Sequence, residues 1–258
     1  MLASLLLGLF LQPPIDGSIR DLEATYHLTV EELKKPLEWH GDHYVVKANP
    51  ASAAQLKAYE PTFIKEWSLY PPSYVAKAVV HRIVFGIDLS VDEQGRAAVP
   101  AFDGDTMYYD PALGSYNLHY QRTVIHHEFF HLVDRRMGLL GTDMEWSRLN
   151  PPGFHYGDGG SKMRTLGVGE LTDKIPGFLT PYATSAIEED KAELFAHMII
   201  DGPYVRKRAT ADPVLAAKVA LLRQRLARFD PNMGDAFWSK IPGWRVSIAA
   251  KSRSQPAG

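Results

Sequence analysis

The sequence predicts an α+β fold. Three observations carry that expectation. Runs rich in β-branched and aromatic residues, such as "YVAKAVVHRIVFGIDLSV", fall in the first half of the chain. Segments with helical start and stop signals, such as "TVIHHEFFHLVD" and "IEEDKAELFAHMI", dominate from about residue 117 onward. Strands that precede helices, each kind in its own run, belong to α+β architectures.

The amino end reads "MLASLLLGLFLQPPIDG". Its apolar run from Leu2 to Leu11 is too short to span a bilayer. It has the length of a signal-peptide apolar region, with no Lys or Arg before it and no clear small-residue cleavage site after it. Residues 1–17 are therefore set apart as an apolar segment. A secreted or extracytoplasmic protein is expected, a cytoplasmic one being the alternative. Residues 18–250 read as a single domain, and "KSRSQPAG" (251–258) as a disordered tail. No later segment is apolar enough for a transmembrane span.

The stretch 47–72 reads as a helix, with Asn49 as N-cap and Pro50 at the first helical position. Pro61 is expected to kink or end it, and Pro71-Pro72 to stop it. Residues 74–91 read as one or two strands, "DEQGR" (92–96) as a turn, and 97–104 as a returning strand. "DTMYYDP" (105–111) reads as a short strand, which Gly104 and Pro111 place at a sheet edge. A helix is expected over 117–137, starting near Ser115 or Asn117 and closed by Gly138. The Gly- and Pro-rich stretch 138–181 is long for a connection, which marks it as functional or mobile. A helix over 186–201 follows, opened by a Ser185–Glu188 capping box and ended by Gly202-Pro203. "YVRKR" (204–208) reads as a solvated connection. The last helix runs from Asp212 as N-cap and Pro213 at the first position to Phe229.

Of 258 residues, 45% are hydrophobic and 22% charged, an ordinary globular balance. A net charge of −2 supplies no field that would draw the chain to nucleic acid or an anionic membrane. Cysteine is absent, which excludes disulfides, a thiolate nucleophile and cysteine-ligated zinc. Any metal must be held by His, Asp or Glu. Six of the 10 histidines lie between His81 and His155.

Within "HHEFFH", His127 and His131 are four residues apart. On a helix that is about 400°, so both rings project to one side, one turn apart. Glu128 falls beside them, placed to polarise a metal-bound water. This is the His-Glu-x-x-His arrangement of zinc hydrolases, with Glu128 as general base. His126 stands about 140° from His131 and points elsewhere; His81, on a strand, reads as a core histidine. A catalytic zinc needs three protein ligands and an open position. The three-histidine class is excluded, because its third His and its Gly would fall on Met137 and Asp134. Asp143, Glu145 and His155 are candidates on chemistry. The better one is Glu189, which shares a helix face with Glu193. Glu189 would bind the ion, and Glu193 would accept the free N–H of His127.

"HEFFH" together with "LTPYATSAIEEDKAELFAHM" resembles the glutamate-third-ligand zincins of the anthrax lethal factor and proline-proline endopeptidase type. It is also similar to bacterial zinc-binding metallopeptidases with a Tyr-Ala…Glu-Asp-x-Ala-Glu segment. The resemblance covers about residues 120–200. It implies a zincin-like domain holding one zinc ion through His127, His131 and Glu189. It further implies Glu128 as base, Tyr182 (seven residues before Glu189) as oxyanion donor, and hydrolysis of a peptide or protein substrate. Lys191 and Ala192 depart from the aromatic residues often found in that helix. In zincins the peptide adds beside an edge strand; that strand is expected at 105–109, with Tyr108 and Tyr109 at the cleft. "GDGGS" (157–161) reads as a flap hinge beside it, lined by Trp146, Phe154 and Tyr156 or closed over a small core of them. A monomer is expected. The alternative function is a zincin-fold domain that binds a protein or peptide without turnover.

Overall fold

The computed structural model describes residues 17–160, 162 and 170–244, a mixed α+β architecture. The apolar segment 1–16, the tail and part of the 138–181 loop lie outside the described residues. The strands are β1 (Thr29–Glu32), β2 (Leu37–His40), β3 (Val45–Asn49), β4 (Arg82–Phe85), β5 (Ile87–Val91), β6 (Gln94–Gly95), β7 (Ala98–Ala101) and β8 (Thr106–Tyr109). They form two four-stranded sheets, ordered β1-β4-β8-β7 and β2-β3-β5-β6. In the first, β4 runs parallel to β1 and β8, and β7 closes the sheet antiparallel to β8.

This order corrects the expected edge. Strand β8 is interior, with all four residues buried, and β7 is the edge. Pro111 and Gly104 flank β8 without breaking its ladder. The proline that reports an edge is Pro100, inside β7, where its missing N–H is tolerated. Tyr108 and Tyr109 therefore belong to the core. Tyr108 packs with Val46 and Val84 between the sheets, and Tyr109 lies 5.1 Å from Phe63, ring to ring.

Helix α1 (Ile19–Tyr26) precedes the sheets, and α2 (Ala53–Trp67) follows β3. The N-cap of α2 is Ser52, reciprocally bonded with Gln55, rather than Asn49, which ends β3. The helix continues through Pro61, which is exposed, so the carbonyl freed by its missing N–H faces solvent. Burial of Tyr59, Phe63 and Trp67 on the opposite face outweighs the loss. Residues expected in a strand instead form α3 (Pro72–Ala78), with a proline in its first turn and Tyr74, Val75 and Ala78 buried. His81, expected in the core, is two-thirds exposed at 68%.

Helix α4 (Leu118–Arg136) has Asn117 as N-cap and ends where Gly138 turns at φ 73°. Leu139 N–H donates to Asp134 and Gly138 N–H to Arg135, the paired bonds of a Schellman motif. Helix α5 (Met144–Ser147) is a single turn. Helix α6 (Ile187–Ile200) packs along α4. Its N-cap is Ala186, and no side chain caps it. The expected Ser185–Glu188 box does not form, since Ser185 ends the preceding 3-10 turn Tyr182–Thr184 with its hydroxyl buried. Gly202-Pro203 ends α6 by opening another helix, α7 (Gly202–Ala211), so 204–208 is helical. Helix α8 (Pro213–Phe229) is capped by Asp212, as expected, and α9 (Asp235–Trp238) is short. Among the described residues no helix is long and apolar enough to cross a membrane.

Buried ion pairs fix the helices around the site. Lys191 of α6 donates to Asp134 of α4 at 2.9 Å and to the Leu139 carbonyl at 2.8 Å. Lys218 of α8 donates to Asp190 at 2.7 Å. Asp190 also accepts from the Trp146 indole and the Tyr156 hydroxyl. The aromatic residues of the 138–181 loop thus form a small core, Phe154 stacking 4.6 Å from Phe178, rather than lining a flap.

Candidate metal centre

The i, i+4 spacing on α4 sets the two histidine rings edge to face, with centroids 4.9 Å apart. Their Nε2 atoms are 3.2 Å apart. Glu189, in the first turn of α6, brings Oε2 to 2.9 Å from His127 Nε2 and 3.5 Å from His131 Nε2. Donor atoms about 2.0–2.1 Å from one tetrahedral ion stand roughly 3.4 Å from each other. The three atoms have nearly that spacing, and two imidazole nitrogens facing at 3.2 Å cannot both carry protons.

Glu193, one turn further along α6, stands with Oε1 at 2.9 Å from His127 Nδ1. An N–H donated there leaves Nε2 of His127 as a lone pair directed at the other two donors. The second oxygen of Glu193 accepts from the Thr180 hydroxyl at 2.7 Å. Burial alone would raise the Glu193 carboxyl, but the hydrogen bond from His127 and the nearby His197 ring outweigh it and hold it well below the usual range. Glu189 is likewise held low, by His127 and His131 against the effect of burial. For His127, burial works downward, and the bonds to Glu189 and Glu193 overcome it and push the ring well above 6.5. The pocket attracts positive charge, and its donor set of two imidazoles and a carboxylate suits zinc. His131 Nδ1 is buried with no hydrogen-bond partner.

Beside these groups lies a cavity of about 500 Å³, whose walls include Glu128, His131, Glu189, Tyr182, Phe102 and β7. Tyr182 sits on the 3-10 turn before α6, its ring 6.1 Å from that of His127. Gly160 packs against Tyr182 and Glu189. A Cβ built on it would overlap both Glu189 Oε1 and the Tyr182 hydroxyl. Gly157 and Gly159 N–H donate to the carbonyls of Thr184 and Ser185, which docks this segment on the turn that carries Tyr182. The edge strand completes the cleft. Asp110 N–H donates to the Ala97 carbonyl, so by alternation Ala98 and Pro100 direct their backbone groups outward. Of these two residues Ala98 is buried and Pro100 partly exposed.

The structure thus brings His127, His131, Glu189, Glu193, Glu128 and Tyr182 to one place. Tyr108 and Tyr109 are not there. Asp143 pairs with Arg225 and Lys191, Glu145 with Arg225, and His155 is exposed. Gly160 escaped the sequence reading as a wall of the site. So did Glu66, which supports α4 from behind. It accepts from Arg122 at 2.6 Å and from His126 at 3.0 Å, while the Tyr70 hydroxyl donates to the other nitrogen of His126. An acidic residue inside the apolar "TFIKEWSLY" is the only local signal of that role.

No protein-family model, curated protein or solved structure matches the chain. The chemistry of the cluster itself therefore carries the functional reading.

Proposed function

We propose that the protein is a zinc-dependent endopeptidase of zincin type. The observation that carries this reading is the convergence of His127, His131 and Glu189 donor atoms, 2.9–3.5 Å apart, on a cavity that also holds Glu128 and Tyr182. A zinc ion on those three ligands supplies a Lewis acid and a water acidified to a pKa of about 7. Glu128 takes the proton of the attacking water and returns it to the leaving amine. The Tyr182 hydroxyl donates to the developing oxyanion. Glu193 holds His127 in the tautomer that leaves Nε2 bare. Strand β7, which borders the cavity, receives the substrate in extended form alongside Pro100, a strand-addition mode.

Elemental mass spectrometry of the purified protein beside Glu189→Ala and Glu188→Ala tests the ligand set. Zinc lost with Glu189 and kept with Glu188 supports it. Equal losses would mean that the wrong carboxylate was chosen. Glu128→Gln, assayed on a peptide library, tests the base. Zinc retained with turnover abolished is the expected outcome, and retained turnover removes Glu128 from the role.

A further inference from the structure

A second group of metal-ligating side chains lies away from the cleft. His119 is in the first turn of α4, His197 in the last turn of α6, and Asp201 is the residue that ends α6. His119 Nε2 lies 3.0 and 2.9 Å from the two Asp201 oxygens. His197 Nδ1 lies 2.6 Å from one of them. The donor atoms of all three are within 4.8 Å of one another. The two rings lie nearly parallel, 27° apart, each presenting a nitrogen to the same carboxylate.

Two further observations separate this group from an ordinary hydrogen-bonded trio. His197 is wholly buried, yet its Nε2 has no hydrogen-bond partner. Glu193 Oε2 stands 3.7 Å from it. The two carboxylates that flank His197, Asp201 at Nδ1 and Glu193 on the Nε2 side, both call for positive charge on this ring, which either a second proton or a cation at Nδ1 supplies. A cation on Nδ1 turns an Nε2–H toward Glu193, the same carboxylate that faces His127 from its other oxygen. Electrostatics favour a cation here too. The carbonyl end of α6 is the negative end of its dipole, and Asp201 adds a full charge. The His119 side chain is 42% exposed, which leaves a path from solvent and room for water ligands.

We propose that His119, His197 and Asp201 bind a second divalent transition-metal ion, of the zinc type, independently of the His127 centre. Two imidazoles and one carboxylate suit such an ion better than magnesium or calcium, which take oxygen ligands. Glu193 then orients an imidazole of each centre.

The test is zinc content after equilibrium dialysis against zinc, for the wild type, His119→Ala, His127→Ala and the double variant. The stoichiometry expected is two, one, one and none. His119→Gln, which also removes the ring but keeps its bulk, should match His119→Ala. Zinc content that is the same with and without His119 in both backgrounds overturns the proposal, whatever happens at His127. A single zinc in the wild type that His119→Ala removes and His127→Ala keeps upholds it, while the reading of the His127 centre falls.

Discussion

Gly160 lies directly against Glu189, so close that a single methyl group on Gly160 would overlap the Glu189 carboxylate and the Tyr182 hydroxyl. Both partners are anchored, Glu189 by His127 and Tyr182 by a buried turn. Gly160→Ala should therefore displace a ligand rather than be absorbed by a flexible side chain. Zinc affinity is expected to fall roughly 10- to 100-fold, the range seen when support of a metal ligand is lost. Gly95→Ala, where a methyl group meets nothing within 4 Å, is the control. Competition with a chromogenic chelator measures both. Unchanged affinity in Gly160→Ala would show that the 157–160 segment yields freely.

Glu193 acts on the site through His127 Nδ1, 2.9 Å away. Glu193→Gln keeps a carbonyl oxygen near that N–H and removes the charge. Zinc affinity should drop about tenfold while the fold persists. Glu188→Gln, on the same helix, should leave the affinity unaltered.

The parts of the site that the sequence made legible are those whose geometry is local. His127, His131 and Glu128 share one helix, and Glu189 and Glu193 another, so 3.6-residue periodicity alone orients each pair. What escaped depends on partners distant in the chain. Whether 105–109 was an edge or an interior strand turned on which strands flank it, and Pro111 beside β8 signals no more loudly than Pro100 inside β7. Asn49-Pro50 and Ser52…Gln55 are both valid helix openings. The backbone chose the second because Asn49 is held in β3 opposite Ile87. Ser185…Glu188 satisfies the capping-box pattern, but a 3-10 turn already holds Ser185 in a helical conformation that an N-cap cannot adopt. Lys191 reads as a surface residue until Asp134 and Leu139 are known to lie above it.

Lys191 is 1% exposed and Asp134 fully buried, so the two charges stand or fall together. Lys191→Met leaves Asp134 without its main partner and should destabilise the protein by about 3–5 kcal/mol. That corresponds to a fall in melting temperature on the order of 10 °C. Adding Asp134→Leu removes the stranded charge and should recover much of the loss. A double variant no more stable than the single one would mean that Lys191 acts mainly through the Leu139 carbonyl.

Tyr182 lines the cavity, and its hydroxyl and the Glu189 carboxylate both lie against Gly160. Tyr182→Phe should keep full zinc content and slow turnover about 100- to 1,000-fold, the effect of losing one oxyanion donor. The loss should appear in kcat with KM nearly constant, because the bond forms in the transition state. A rate equal to wild type would return Tyr182 to a packing role.

Acid should unfold the protein through Glu66 and His126. Burial raises the Glu66 carboxyl, but bonds from His126 and Arg122 outweigh it and set it at about 2, against an ordinary 4.5. His126 is moved the other way from a free histidine's preference for charge. Its burial lowers it below 6.5, more than Glu66 raises it. Both groups bind fewer protons folded than unfolded, so both make stability fall as pH falls. The His126 contribution begins to be lost below 6.5. That of Glu66 is present above 4.5 and is lost toward 2, at about 1.4 kcal/mol per pH unit within that window. Urea midpoints measured from neutral pH downward should therefore decline in two stages. Glu66→Gln is expected to be less stable at neutral pH and to show a shallower lower stage, the rest of which comes from Glu189 and Glu193, also held low. A Glu66→Gln profile parallel to wild type below pH 4.5 would assign the acid sensitivity to other carboxylates.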